Sequence, residues 1–270
     1  MLLYQILIFG FLLLVFSCNA LRCTTNCSFT YNTTKPFAIP DTCNQVVSAG
    51  KCEARLGFMY DWGVYFFDLS ANLQTTIFNS NNQRRARLQL HLPNTVYLSH
   101  FVDISCKDKD DCARDLAINV SVEMSQRQYD FPRIMSELSP LILGPSLSSS
   151  NLELNCYDSN QKVHRCGTLT NPGSCIVAND ITKNKISSSC KIDSFQREIS
   201  ISMYQEKNYA TFDVRCNQNL CNGHATLKAV KQILFRHNIT QTPDGRLNGA
   251  SFRVSILLMI IMLFGLLSNR

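Results

Sequence analysis

The sequence lacks the residue patterns around which common hydrolases and phosphotransferases are built. No Gly-x-Ser-x-Gly, no His-Glu-x-x-His and no glycine-rich phosphate loop occurs in its 270 residues. It therefore has no elbow-mounted serine nucleophile, no helix-borne zinc pair and no backbone cradle for a phosphate. The histidines, His91, His100, His164, His224 and His237, are scattered. Charge is sparse too, with charged residues at 17% and a formal net charge of +6. The excess of Lys and Arg is spread along the chain, and Arg84, Arg85 and Arg87 form its only basic cluster. A nucleic acid is not an expected partner on that ground. These absences leave no constellation for catalysis, and neither a cofactor nor a metal is expected.

Long apolar runs are missing from the interior and occur only at the two ends. Residues 1–20 have the form of a secretory leader: Ile6 to Phe16 is uncharged and apolar, and Ser17, Cys18, Asn19 and Ala20 supply a small-residue cleavage site. At the other end Val254 to Leu267 is broken only by Ser255 and Gly265. As a helix that stretch would be about 21 Å long, against a hydrocarbon core of about 30 Å. It is short for a span. The small residues Asn248, Gly249, Ala250 and Ser251 lie just upstream, so residues 239–253 are expected to be a stalk carrying a GPI attachment site at Asn248, and 254–270 the tail exchanged for lipid. A short single span is the alternative.

Cysteine is plentiful. Of thirteen in the sequence, Cys18 falls in the leader, which leaves Cys23, Cys27, Cys43, Cys52, Cys106, Cys112, Cys156, Cys166, Cys175, Cys190, Cys216 and Cys221. An even number on a secretory route implies disulfides, since thiols oxidise in the secretory lumen and stay reduced in the cytosol. Close pairs such as Cys106-x5-Cys112 and Cys216-x4-Cys221 occur without the repeated Cys-x2-Cys knuckles that zinc sites use. Asn32-Thr33-Thr34, Asn119-Val120-Ser121 and Asn238-Ile239-Thr240 are glycosylation sequons, and Asn26-Cys27-Ser28 is a poorer one crowded by its cysteine.

The chain also repeats itself. Cys43-x6-Gly50-x-Cys52 matches Cys166-x6-Gly173-x-Cys175, and Phe101 to Cys106 aligns with Thr211 to Cys216, each followed by a short loop to Cys112 or Cys221 and a helix-prone stretch. Two cysteine-rich modules are expected, residues 21–124 and 151–238. Residues 125–150, with Pro132, Pro140, Pro145 and several serines, are expected to be a linker that resists regular structure. Each module reads as mainly β: Leu88, Leu90 and Leu92 alternate with polar residues, as do Ile199, Ile201 and Met203. Asn79 to Arg87 reads as a polar hairpin tip, while Leu227, Val230, Lys231 and Leu234 have helical spacing.

The run Cys216-Asn217-Gln218-Asn219-Leu220-Cys221-Asn222 resembles the closing motif of the Ly-6/uPAR three-finger family of cell-surface proteins, in which a Cys-x4-Cys-Asn loop ends the fold. The resemblance covers about a third of the chain. It implies pairing of Cys156 with Cys175, Cys166 with Cys190 and Cys216 with Cys221. Ala113 stands where the first module would carry the terminal Asn, and nothing between Cys52 and Cys106 corresponds to Cys190. The fold class is thus mainly β, small and disulfide-rich, as tandem three-finger-like or related cysteine-rich modules, with pairing in the first module left open.

Two local features bear on function. Arg84-Arg85-Ala86-Arg87 has the outline of a processing site, set against a plain solvated basic turn. Tyr60, Trp62, Tyr65, Phe66 and Phe67 crowd one short stretch, as either a binding surface centred on Tyr60, Trp62 and Tyr65 or core. The leading expectation is a GPI-anchored glycoprotein on the outer leaflet of the plasma membrane that binds an extracellular or membrane protein without catalysis. A structural or protective coat protein is the alternative.

Overall fold

A computed structural model of the chain describes residues 20–32, 37–71, 83–91, 95–144, 154–168, 173–192 and 199–247. The leader up to Asn19, Thr33 and Thr34 of the first sequon, residues 79–82 of the expected hairpin tip, Leu92, and Asn248 with the apolar tail all lie outside the described residues.

The first repeat contributes β1 (Leu21–Thr24), β2 (Cys27–Asn32), β3 (Val46–Ala49), β4 (Cys52–Met59), β5 (Val64–Ala71), β6 (Gln83–His91), β7 (Thr95–Cys106) and the helix α1 (Cys112–Ser125). After helix α2 (Phe131–Ile142), the second contributes β8 (Asn155–Tyr157), β9 (Val163–Arg165), β10 (Gly173–Asp180), β11 (Lys185–Ile192), β12 (Ile199–Glu206), β13 (Tyr209–Cys216) and helix α3 (His224–Arg236). The protein is mainly β and disulfide-rich. Its principal sheet is nine-stranded, in the order β11-β10-β13-β12-β6-β7-β4-β5-β2, and each repeat adds a two-stranded ribbon, β1-β3 or β8-β9.

The duplication seen in the cysteines is also a duplication of strand order. Cys52 faces Cys106 across β4 and β7, just as Cys175 faces Cys216 across β10 and β13. Asp103 therefore corresponds to Asp213. Their cross-strand neighbours, Gln83 and Ser202, correspond in turn, and two residues further along Arg85 corresponds to Tyr204. In the pairing that joins the repeats, Arg85 lies directly opposite Tyr204, flanked by Arg84 with Gln205 and Ala86 with Met203. Equivalent residues meet at one pair and exchange partners symmetrically around it, so a pseudo-two-fold axis passes through the sheet at Arg85 and Tyr204.

All six disulfides are formed: Cys23 with Cys52, Cys27 with Cys43, Cys106 with Cys112, Cys156 with Cys175, Cys166 with Cys190, and Cys216 with Cys221. The three in the second repeat are those the resemblance implies. In the first repeat the position opposite Cys52 on β5 is Ala71, where the second has Cys190 opposite Cys175. Cys43 bonds instead to Cys27 on β2, a strand with no counterpart among the described residues of the second repeat. Each staple contributes about 2–5 kcal/mol, chiefly by restricting the unfolded chain.

The helices share one face of the sheet. Ala113, Ala117, Val120 and Met124 of α1 pack with Leu56, Phe58, Val102 and Ile104, while Leu227, Val230 and Leu234 of α3 pack with Val177, Ile201, Phe212 and Val214. The expected unstructured linker is corrected here, because α2 occupies its middle. Asp130 caps that helix by accepting from the Arg133 amide at 3.1 Å, and Pro132 lies in the first turn, where an amide would go unused anyway. Pro140 falls in the last turn, so it disrupts little. Ile134, Leu138 and Ile142 then present one buried stripe to the core. Two further expectations change. Gln83 to Arg87 form the first half of β6 rather than a hairpin tip, because alternation of buried residues continues through them. Residues 239–247 are not a stalk: Ile239, Thr240 and Leu247 are buried against the second repeat.

Asn222, the terminal residue of the closing motif, is fully buried. Its Oδ1 accepts from the Tyr157 amide at 2.9 Å, and its Nδ2 donates towards the carbonyls of Tyr157 (2.8 Å), Ile176 and Ser189 (both 3.2 Å). One side chain thus ties β8, β10 and β11 together. Asn222→Ala orphans several buried backbone groups at about 1–3 kcal/mol each, so urea unfolding is expected to report a loss of about 2–5 kcal/mol. A loss under about 0.5 kcal/mol, the range of a neutral surface change, removes the clamp role.

Candidate interaction surface

No described helix or strand packs on the second face of the nine-stranded sheet, and its residues follow from strand periodicity. On β6 Arg84, Ala86, Leu88 and Leu90 point to the helices, which turns Arg85, Arg87, Gln89 and His91 outwards. Neighbouring strands add Tyr97, Ser99, Phe101 and Asp103 from β7, Ser202 and Tyr204 from β12, and Thr211 and Asp213 from β13.

Charges on this face are organised as a ladder. Asp103 accepts from Arg55 Nε at 2.9 Å and from an Arg85 terminal nitrogen at 3.0 Å. The Arg85 guanidinium also lies 5.6 Å from the centre of the Phe101 ring, and Phe66 lies 6.1 Å from the same ring. On the pseudo-two-fold axis these side chains border a groove of about 330 Å³, lined by Arg85, Arg87, Phe101, Tyr204, Thr211 and Asp213. Burial pushes the Asp213 carboxyl above its ordinary range.

Two sequons fall elsewhere, and Asn32 shares this face with Thr30 and Phe66 at its far edge, four strands from β6. Asn119 is exposed on α1 and Asn238 is exposed just after α3, both within the helical layer, while Asn32 ends the edge strand β2. Ser121 and Thr240, the hydroxyl residues of the first two triplets, are buried. Asn26 is exposed, but its side-chain amide donates to Gln45 at 2.7 Å and the adjoining Cys27 is bonded.

The expected aromatic surface divides. Trp62 is 68% exposed in the turn between β4 and β5, but Tyr65 is only 1% exposed, edge-on to Phe58, and Tyr60 stacks edge-to-face on Tyr129 at 4.8 Å. Strand alternation explains the split, since Tyr65 is on the helix side with Phe67 and Leu69. Tyr60 and Tyr65 contribute to the wall of a cleft of about 300 Å³ with Arg127, Tyr129 and Phe131. Arg84 of the basic cluster, the second residue of β6, is buried at 7% exposure, unsuited to cleavage in the folded protein. Cys106, Asp108 and Cys112 converge like a metal site, but both sulfurs are tied up in a disulfide.

Beneath the seam lies a buried polar joint that the sequence did not advertise. His100 sits among Arg84, Arg127 and the ring of Tyr60, which is edge-on at 5.6 Å. Burial, reinforced by the Arg127 and Arg84 charges, holds the imidazole pKa down at about 3. Arg127 donates to Glu123 at 2.7 Å.

No known protein family matches this chain, and no curated protein is similar to it.

Two outcomes are expected. Trp62→Ala should leave secretion intact, whereas Tyr65→Ala, which removes a core ring at about 3–5 kcal/mol, should abolish it in a secreted-yield assay; equal secretion of both overturns the core role of Tyr65. The second concerns pH. Unfolded His100 takes up a proton near pH 6.5 while the folded imidazole stays neutral to about 3, so stability present above 6.5 is lost as pH falls towards 3. Between pH 7 and 5 the urea-derived stability should drop by about 2 kcal/mol more in the wild type than in His100→Gln. Identical pH slopes remove this role.

Proposed function

We propose that the protein is a GPI-anchored extracellular glycoprotein that binds another protein through the helix-free face of its sheet and catalyses nothing. The oxidised state of all twelve cysteines beyond the leader carries the extracellular part, since six disulfides persist only outside the cytosol. The leader and the small-residue run before the apolar tail support the anchor.

Separation of the sequons from the groove supports the binding face, with Asn32 four strands away at the sheet edge. Glycans at Asn119 and Asn238 would cover the helical layer and leave the groove at Arg85 and Tyr204 accessible. A surface that mixes arginines, carboxylates and aromatic edges at a shallow groove suits a protein partner with charges of both signs, because complementarity there sets register and encounter rate. Among the described residues the sulfurs are paired and His100 is buried beneath the seam.

Surface labelling before and after phosphatidylinositol-specific phospholipase C tests the anchor: release is expected, and retention on the cell overturns it. For the face, multimers of the purified protein should stain a subset of intact cells. Ser202→Trp, which fills the groove, should reduce staining at least tenfold at unchanged secretion, about 1.4 kcal/mol of binding. Undiminished staining by that variant takes the groove out of the binding surface.

A further inference from the structure

We infer, on the reading that this face binds a protein, that the groove beside Tyr204 receives an arginine side chain of the partner, whose guanidinium pairs with the Asp213 carboxylate. The two repeats treat equivalent aspartates differently. Asp103 is matched by two guanidiniums, that of Arg55 directly opposite on β4 and that of Arg85 on β6. Asp213 holds the same place in the second repeat, but Ala178 lies opposite it where Arg55 would be, and Tyr204 stands for Arg85.

Among the described residues no cation pairs with Asp213. Arg215, two residues on, donates instead to the Ser174 hydroxyl at 2.7 Å. The Tyr204 hydroxyl is engaged with the Gln83 amide and, at 2.9 Å, with Glu206. Arg85 is held by Asp103, and Arg87 has contacts of its own. Burial raises the Asp213 carboxyl, opposed only by a backbone hydrogen bond from Asn179, which is the behaviour of a half-buried acid without a counter-charge.

The space beside it suits a guanidinium. Thr211 stands where the first repeat has Phe101, so small side chains, Ser202 and Thr211, line the groove next to Asp213, with the rings of Tyr204 and Phe101 nearby and a volume of about 330 Å³. A partly desolvated carboxylate attracts a cation more strongly than a solvated one. Guanidinium adds paired hydrogen bonds and stacking on a ring, which ammonium lacks. Arg85 displays that combination within the chain, bonded to Asp103 at 3.0 Å and 5.6 Å from the centre of the Phe101 ring.

Carboxyl NMR of the purified secreted protein at neutral pH tests this without the partner. N-acetyl-arginine amide should move the Asp213 resonance saturably, N-acetyl-lysine amide should bind more weakly, and N-acetyl-citrulline amide, the uncharged isostere of the first, should leave it in place. A flat arginine titration, an equal response to citrulline, or lysine binding as tightly as arginine overturns the assignment. In the cell-staining assay Asp213→Asn and Ala178→Arg, which restores the first-repeat arrangement from within the chain, should each cut staining about tenfold at unchanged secretion. Asp213→Asn should also unfold at a midpoint no lower than the wild type; a lower one means that the carboxylate is already paired inside the fold, and overturns the inference. Staining lost in Ser202→Trp but kept in both Asp213→Asn and Ala178→Arg leaves the binding face standing and removes the arginine from it. Absence of any wild-type staining removes the face instead, and the NMR titration then decides whether Asp213 takes a guanidinium.

Discussion

The pairing of β6 with β12 is the interaction on which the architecture depends. Each repeat taken alone ends in a strand edge whose amide and carbonyl groups lack partners, an invitation to aggregation. Joining those edges, from Ile199 opposite Leu90 to Gln205 opposite Arg84, satisfies both at once and makes a single sheet. The register is that of an isologous contact between two copies of one unit. In a true homodimer the axis would set a residue against its own copy, and two arginines there would repel. The tandem chain escapes that constraint by placing Tyr204 opposite Arg85, which leaves the arginine to Asp103 and Phe101.

Covalent bonds repeat the same theme with variation. Both repeats staple their ribbon to the sheet, through Cys23–Cys52 and Cys156–Cys175, and both close the loop before the final helix, through Cys106–Cys112 and Cys216–Cys221. The third staple differs. Cys166 reaches β11, but the equivalent Cys43 reaches the added strand β2. A geometric requirement, anchoring the ribbon's long loop, is met twice by different sulfurs. The clamp made by Asn222 is confined to the second repeat, since Ala113 cannot make those bonds.

Much of this was legible in the sequence. Period-two alternation located β6 and β12, and helical spacing located α3, because both signals come from which side chains meet the core. The cysteine-glycine spacing exposed the duplication, and the closing motif carried the pairing in the second repeat. Composition misled in the linker, where prolines at the ends of α2 are tolerated while Ile134, Leu138 and Ile142 supply its buried stripe. The continuous sheet was not legible, because edge pairing depends on the relative placement of segments far apart in the chain. Nor was the buried joint: Arg84 and His100 carry no local mark of burial, and their place follows only from facing the helices on adjacent strands. Clustered aromatics could not by themselves separate exposed Trp62 from buried Tyr65.

The burial of Ser121 and Thr240 sets an order on biosynthesis. An oligosaccharide-transferring enzyme must grip the hydroxyl residue of its acceptor triplet, and in the finished fold neither hydroxyl can be reached. On the proposed reading, any sugar on Asn119 or Asn238 would have to arrive while the nascent chain is still extended, ahead of helix closure. The Cys106–Cys112 bond opens directly onto α1, so if Asn119 carries a sugar as proposed, rapid oxidation there would compete with its transfer and the speed of thiol chemistry would govern how completely the site is occupied.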